Sequence, residues 1–236
     1  MQLRRQVRSL GLLLFVAAVP FFSAQDREQH ESSPLVPIAR SKLCVTKGAI
    51  KDDKGSLLAV EVPEMRAVVD YPTRAVAEAE FTYLGPTRKD KPLHSGEIRR
   101  QFGLKLLAQN GCNLVYAMWR IQPKEELVVS VKLNPGQTTS AECDANGYHT
   151  IKPTRDSNPP RLVAGEKHTL RAEIESSEMK VFIDGKLTWE GLLDHEALAL
   201  EGPSGIRTDN GRFRFKFLSS EPRGERLPCH AANGDE

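Results

Sequence analysis

Residues Arg212-Phe213-Arg214-Phe215-Lys216-Phe217 alternate basic and aromatic side chains without a break. A period of two puts every ring on one face of an extended strand and every cation on the other, which a helix cannot do. The alternation recurs along the chain. Between Ala75 and Leu84, the residues Ala77, Ala79, Phe81 and Tyr83 share one face, while Glu78, Glu80 and Thr82 share the other. Val128–Leu133, Leu170–Ile174 and Met179–Ile183 follow the same rule. Strands packed on one side and wet on the other carry this signature. Turn chemistry separates them. Asp184-Gly185 predicts a two-residue hairpin, because both central positions need positive φ. Asn134-Pro135-Gly136, Asn146-Gly147 and Asn210-Gly211 mark further turns. The helical signal is confined to a short turn over Leu192–Leu200, with Asp194 as its cap. About ten or eleven short strands with such punctuation predict an all-β sandwich or barrel.

The N-terminus has the layout of a secretory signal. Arg4, Arg5 and Arg8 precede an apolar run from Leu10 to Phe22, broken by Gly11 and Pro20, and small residues follow at Ser23 and Ala24. The run is too short to cross a hydrocarbon core of about 30 Å as a helix. Cleavage after Ala24 leaves Gln25 first, with Phe22 as the feature least suited to the cut. The expected organisation is a signal over 1–24, a polar leader and first strand region over 25–56, a sandwich over 57–220 and a tail over 221–236. The leader, with two prolines, is expected to be flexible through residue 40. No membrane span is expected after cleavage, and the destination is secreted or periplasmic. Basic and acidic residues nearly balance, at 33 and 31, and are interspersed, so a nucleic-acid-binding stripe is not expected. The four cysteines, Cys44, Cys112, Cys143 and Cys229, suit disulfides in an exported chain and admit three pairings. Cys112 with Cys143, and Cys44 with Cys229 tying the two ends, is the preferred arrangement. The first bridge would close about thirty residues and contribute roughly 3–4 kcal/mol. No pair has the close spacing of a zinc site, and neither metal nor cofactor is expected.

Short motifs add a family resemblance over roughly residues 75–218. Lys167-His168-Thr169-Leu170 leading into Met179–Asp184-Gly185 resembles the late hairpin of concanavalin A-like jelly rolls. Gly202-Pro203-Ser204-Gly205-Ile206 with Phe213-Arg214-Phe215 resembles their closing strands, and Glu80-Phe81 and Phe102-Gly103 their earlier ones. The resemblance, shared by laminin-G-like modules, β-glucanases and 3-keto-disaccharide hydrolase-like domains, implies a two-sheet antiparallel jelly-roll sandwich. It speaks to fold more than to function.

Tests for chemistry are mostly negative. Retaining glucanases of that superfamily place two carboxyls about 5 Å apart on one strand, in an E-x-D-x-x-E motif. Glu173, Glu175 and Glu178 imitate the spacing but fall on the His168-Thr169 strand and its turn, where the motif does not belong. The strand in the right place, Cys112–Ile121, has no carboxylate. No G-x-S-x-G elbow is present, and Gly202-Pro203-Ser204-Gly205 lacks its spacing. The six histidines show no metal-ligand spacing, His168 reads as a structural strand residue, and Asp144-Ala145-Asn146-Gly147 reads as a plain turn.

Binding residues are therefore sought on Asn113–Arg120. Asn113, Val115, Ala117 and Trp119 share one face of this strand, and Leu114, Tyr116, Met118 and Arg120 the other. Tyr116 with Arg120, or Asn113 with Trp119, would pair a sugar-stacking ring with a hydroxyl-binding group, although Trp119 is first of all a core candidate. Arg207, Asp209 and Asn210 form a second polar cluster at a strand end, readable as a cleft rim or a salt-bridged turn. The expected function is a non-enzymatic exported module that binds carbohydrate or an envelope glycan. The alternatives are a hydrolase resembling the 3-keto-disaccharide hydrolases, and a structural partner of the cell envelope.

Overall fold

A computed structural model describes residues 34–229; the expected signal lies outside the described residues. Its early strands are β1 (Leu35–Pro37), β2 (Leu43–Lys47), β3 (Lys51–Asp52), β4 (Leu58–Val60), β5 (Glu64–Val69), β6 (Val76–Pro86) and β7 (Arg100–Leu106). The middle ones are β8 (Leu114–Gln122), β9 (Glu126–Lys132), β10 (Tyr148–Thr150), β11 (Arg155–Asp156) and β12 (Lys167–Glu175). Last come β13 (Glu178–Ile183), β14 (Lys186–Leu192), β15 (Gly205–Asp209) and β16 (Gly211–Ser220). They form two antiparallel sheets. One runs β11-β14-β13-β12-β6-β16-β4-β3, with β1 also on β16; the other runs β10-β9-β8-β7-β15-β5-β2. The fold is a two-sheet antiparallel sandwich, one of the two all-β forms that the alternation admits and the one that the resemblance implies.

The alternating residues explain the packing. Phe213, Phe215 and Phe217 are buried against the second sheet, whereas Arg212 on the outer side donates to the carbonyls of Leu84 and Pro86. Ala77, Ala79, Phe81 and Tyr83 of β6 point inward beside them. The sheets meet at Phe81 and Phe102, whose rings stack with centroids 4.0 Å apart and planes within 10°. Trp119 packs edge-on against Phe81 at 5.7 Å, and Phe213 does the same at 6.1 Å. Offset and edge-on contacts of this kind add about 0.5–1.5 kcal/mol each beyond area burial.

The turns take their expected forms. Asp184 and Gly185 have φ of 50° and 76°, the mirror-image turn that matches strand twist. The Asp184 carboxylate also accepts from Thr169 N at 2.7 Å and faces His168 Nδ1 at 2.8 Å, so His168 braces this hairpin. A short helix, His195–Leu198, is capped by Asp194 accepting from Ala197 N. A second single-turn helix, Ser140–Cys143, was not foreseen; Thr139 and Glu142 close a capping box around it. The cysteines are bonded as Cys44–Cys229 and Cys112–Cys143.

Two features depart from the sequence reading. The expected flexible leader is already a strand at Leu35, where residues 35–37 pair with β16 at Ser220–Leu218. Strands β2 and β3 lie in the first strand region expected before residue 57. A strand as short as β1 shows no period in the sequence. The tail is tied by more than Cys229: Arg226 donates to the buried Asp70 carboxylate at 2.6 Å, and Leu227 N donates to Asp70 O. Truncating Phe81 to Ala leaves a void under Phe102 and Trp119. It is expected to cost about 3–5 kcal/mol, read from the urea midpoint at unchanged m-value.

Candidate functional site

The seven-stranded sheet has a second face, turned away from the sandwich core, and its composition is unusual. On β7, Phe102, Leu104 and Leu106 point inward, so Gln101, Gly103 and Lys105 point outward. On β8, Val115, Ala117 and Trp119 are core, so Leu114, Tyr116 and Met118 form a separate outer cluster. On β5 and β15 the inward residues are Met65, Ala67, Val69 and Ile206, which leaves Arg66, Arg207 and Asp209 outside. Cross-strand register then lines up Arg66, Arg207 and Gly103 in one row, and Gly205, Lys105 and Tyr116 in the next. Gly103 has no side chain to obstruct its neighbour. The Arg207 guanidinium lies 5.1 Å from the centre of the Tyr116 ring, one strand beyond.

Asp209 organises this face. It is fully buried and accepts from Arg66 Nη2 at 2.6 Å, Gln101 Nε2 at 2.6 Å and Arg207 Nε at 2.9 Å. Burial alone would raise its carboxyl, but Arg207 and Arg66 overcome that effect and hold it at about 2. Arg66 is fixed in turn by donating to the carbonyls of Met65 and Thr208, both at 2.9 Å. Such charge-assisted bonds are short and directional.

Two tyrosines complete the surface. Tyr116 is 4% exposed and stacks on Tyr148, with centroids 6.1 Å apart and planes within 23°. Tyr148, on the edge strand β10, is 42% exposed. Its hydroxyl accepts from Arg207 Nη1 at 3.2 Å, and Lys132 Nζ lies 5.0 Å from its ring centre. Burial raises the Tyr116 phenol to about 12, with Tyr148 adding to the shift. Burial also acts to raise Tyr148, but Arg207 and Lys132 outweigh it and lower the group. Lys105, 5% exposed, is held well below the ordinary lysine range by burial and then by Arg66 and Arg207.

Of the residues singled out from sequence, Tyr116, Arg207 and Asp209 come together here. The others do not. Trp119 is fully buried between the sheets, so it is a core ring and not a sugar platform. Asn113 is a loop brace: it donates to Asn110 Oδ1 and Gln137 O and accepts from Asn134 N. Arg120 shares the outer side but is occupied by Glu126 at 2.5 Å. Asn210 is buried at the corner between β15 and β16 with φ of 52°; it accepts from Lys91 N and donates to the carbonyls of Lys91 and Arg99. That is a structural role. Arg66, Gln101, Lys105, Lys132 and Tyr148 were missed. The outward places of Gln101 and Lys105 are legible from β7 alternation, but their neighbours are not. Glu173 and Glu175 lie on β12 of the other sheet, where Glu173 accepts from Arg171. Clefts of about 320 and 240 Å³ also belong to that sheet, lined by Glu78, Thr169, Arg171, Phe182 and Gly185 in one case and by Asp53, Lys54, Leu57 and Arg214 in the other. No cluster of metal-ligating side chains occurs among the described residues.

No protein-family model matches the chain, and no curated protein matches it significantly. Solved structures do resemble its fold. A carbohydrate-binding module from Bacillus subtilis superimposes with a TM-score of 0.50 at 13% identity, covering 74% of this chain and 91% of the module. An endo-acting O-glycanase of the human gut microbiota, which initiates mucin breakdown, also gives 0.50, at 9% identity over 80% of this chain and 95% of that one. A galectin-like protein from Bacillus subtilis gives 0.47 at 12% identity, over 81% of this chain and all of its own length. At these identities the likeness is one of architecture.

Replacing Asp209 by Asn leaves Arg66 and Arg207 without their counter-charge and is expected to cost about 3–5 kcal/mol at neutral pH. A carboxyl depressed from 3.8 to about 2 contributes stability above the upper value and loses it as pH falls toward the lower. The gap between wild type and the Asp209→Asn protein should therefore narrow through that window, as followed by urea unfolding at stepped pH.

Proposed function

We propose that the chain is an exported β-sandwich module that binds a glycan on the outer face of its seven-stranded sheet. The observation carrying this reading is Tyr148, a large exposed ring backed by Tyr116 and bordered by the guanidinium of Arg207 and the ammonium of Lys132. A flat ring presents an apolar plate to the C–H face of a pyranose, and adjacent fixed donors suit its hydroxyls. The likeness in fold to a carbohydrate-binding module is in keeping with this use. Two disulfides suit an oxidising compartment, as does the signal layout of the first 24 residues.

Binding ranks ahead of hydrolysis because of how Asp209 is held. With Arg66, Gln101 and Arg207 on its oxygens and its carboxyl lowered to about 2, it is charged at neutral pH and unsuited to donating a proton there. The outward residues of β8 are Leu114, Tyr116, Met118 and Arg120, none of them acidic.

A glycan array with residues 25–236 is expected to show retention on at least one polysaccharide without release of reducing ends. Release of sugar would favour the hydrolase alternative, and retention on none would overturn glycan binding. Tyr148→Ala should weaken retention about five- to tenfold by removing the stacking contact. Its melting temperature should move little, since the residue stands on an edge strand outside the core and is 42% exposed.

A further inference from the structure

The outer face of the seven-stranded sheet carries positive charge that the protein does not neutralise. Arg66, Arg207 and Gln101 already occupy the Asp209 carboxylate, and Lys105 and Lys132 lie further along the same face. Lys132 donates to the backbone carbonyl of Asp144 at 2.8 Å. Lys105 is different. It is 5% exposed and makes no hydrogen bond or ion pair among the described residues, and the carboxylate that acts on it, Asp209, is already held by Arg66, Arg207 and Gln101. Its flanking partners in register are Gly205, which has no side chain, and Tyr116, which offers no charge. A buried ammonium normally retains a counter-ion or hydrogen-bonding oxygens, because desolvation is costly without them. The nearby guanidinium groups of Arg66 and Arg207 make this position still less favourable for a cation.

An evolved surface that keeps an unpaired lysine beside two arginines is suited to receiving the missing negative charge from outside. Carboxylate and sulfate oxygens accept from ammonium and guanidinium donors at once, and the bonds are strongest where water is excluded. We propose that the ligand of this face is an acidic glycan, whose carboxylate or sulfate group is taken by Lys105 with Arg207 while Tyr148 packs against a sugar ring. This rests on the glycan-binding reading above and narrows it to a substrate class.

The test compares one polymer with and without its charge: immobilised polygalacturonate against its fully methyl-esterified form, with dextran sulfate against dextran as a second pair. Wild type should be retained on the charged member of at least one pair and not on its neutral counterpart. Lys105→Met should reduce that retention about tenfold or more, while its melting temperature stays level or rises because an uncompensated buried cation has gone. Lys51→Met, which alters a lysine 71% exposed on the other sheet, should retain like wild type. Equal retention on charged and neutral members overturns the acidic preference and leaves glycan binding standing. Retention on none of the four polymers overturns the acidic preference, and retention on no array glycan either sinks both. Loss in Lys51→Met as large as in Lys105→Met, or unchanged retention in Lys105→Met with a lowered melting temperature, also overturns the proposal. If Lys105→Met does not fold, the wild-type comparison within each pair still decides.

Discussion

The stacked pair Phe81 and Phe102 is the contact on which the rest of the structure depends. One ring comes from β6 in the nine-stranded sheet and the other from β7 in the seven-stranded sheet, and their 4.0 Å stacking joins the two layers. Trp119 and Phe213 close around Phe81 edge-on, so β6, β7, β8 and β16 each contribute a ring to one cluster. Because strand side chains alternate, fixing Phe102 inward forces Gln101, Gly103 and Lys105 outward. Fixing Trp119 inward does the same for Tyr116 and Met118. The candidate binding face is thus the obligatory reverse side of the core.

Around Asp209 that reverse side is held by ionic contacts, beside the smaller apolar cluster of Leu114, Tyr116 and Met118. A buried carboxylate with three charge-assisted or amide donors is rigid, since losing any partner leaves charge in a poor dielectric. Asp209 also stands immediately before Asn210, the left-handed corner at which the chain passes from one sheet to the other. The ionic lattice and the sheet-to-sheet crossing therefore share adjacent residues. Arg207 is held over Tyr116 by its bond to Asp209, the residue next to that corner. This coupling gives the face a fixed arrangement of donors before any ligand arrives, which lowers the ordering cost of binding.

Several elements were legible in the sequence because their physics is local. The period-two run Arg212–Phe217 could only be a half-buried strand, and Phe213, Phe215 and Phe217 are all buried as it required. Asp184-Gly185 needed positive φ at both positions and has it. Asp194 caps its helical turn through a bond three residues away. The alternation even separated Tyr116 from Trp119, placing them on opposite faces of β8.

What the alternation did not hold was which of those faces meets the other sheet, or which residues stand beside them. Arg66 and Asp209 are 143 positions apart and touch only because β5 and β15 are paired neighbours. Lys105, a residue of no evident interest in the linear chain, has no ion-pair partner beside it because register puts Gly205 on one side of it and Tyr116 on the other. The sequence by itself determined the longer strands, the turns and which side chains share a strand face, since periodicity and turn conformation are properties of a few consecutive residues. The tertiary structure alone decided the strand order, and with it the charged face, because pairing between distant strands is settled by the burial of the whole core rather than by any one segment.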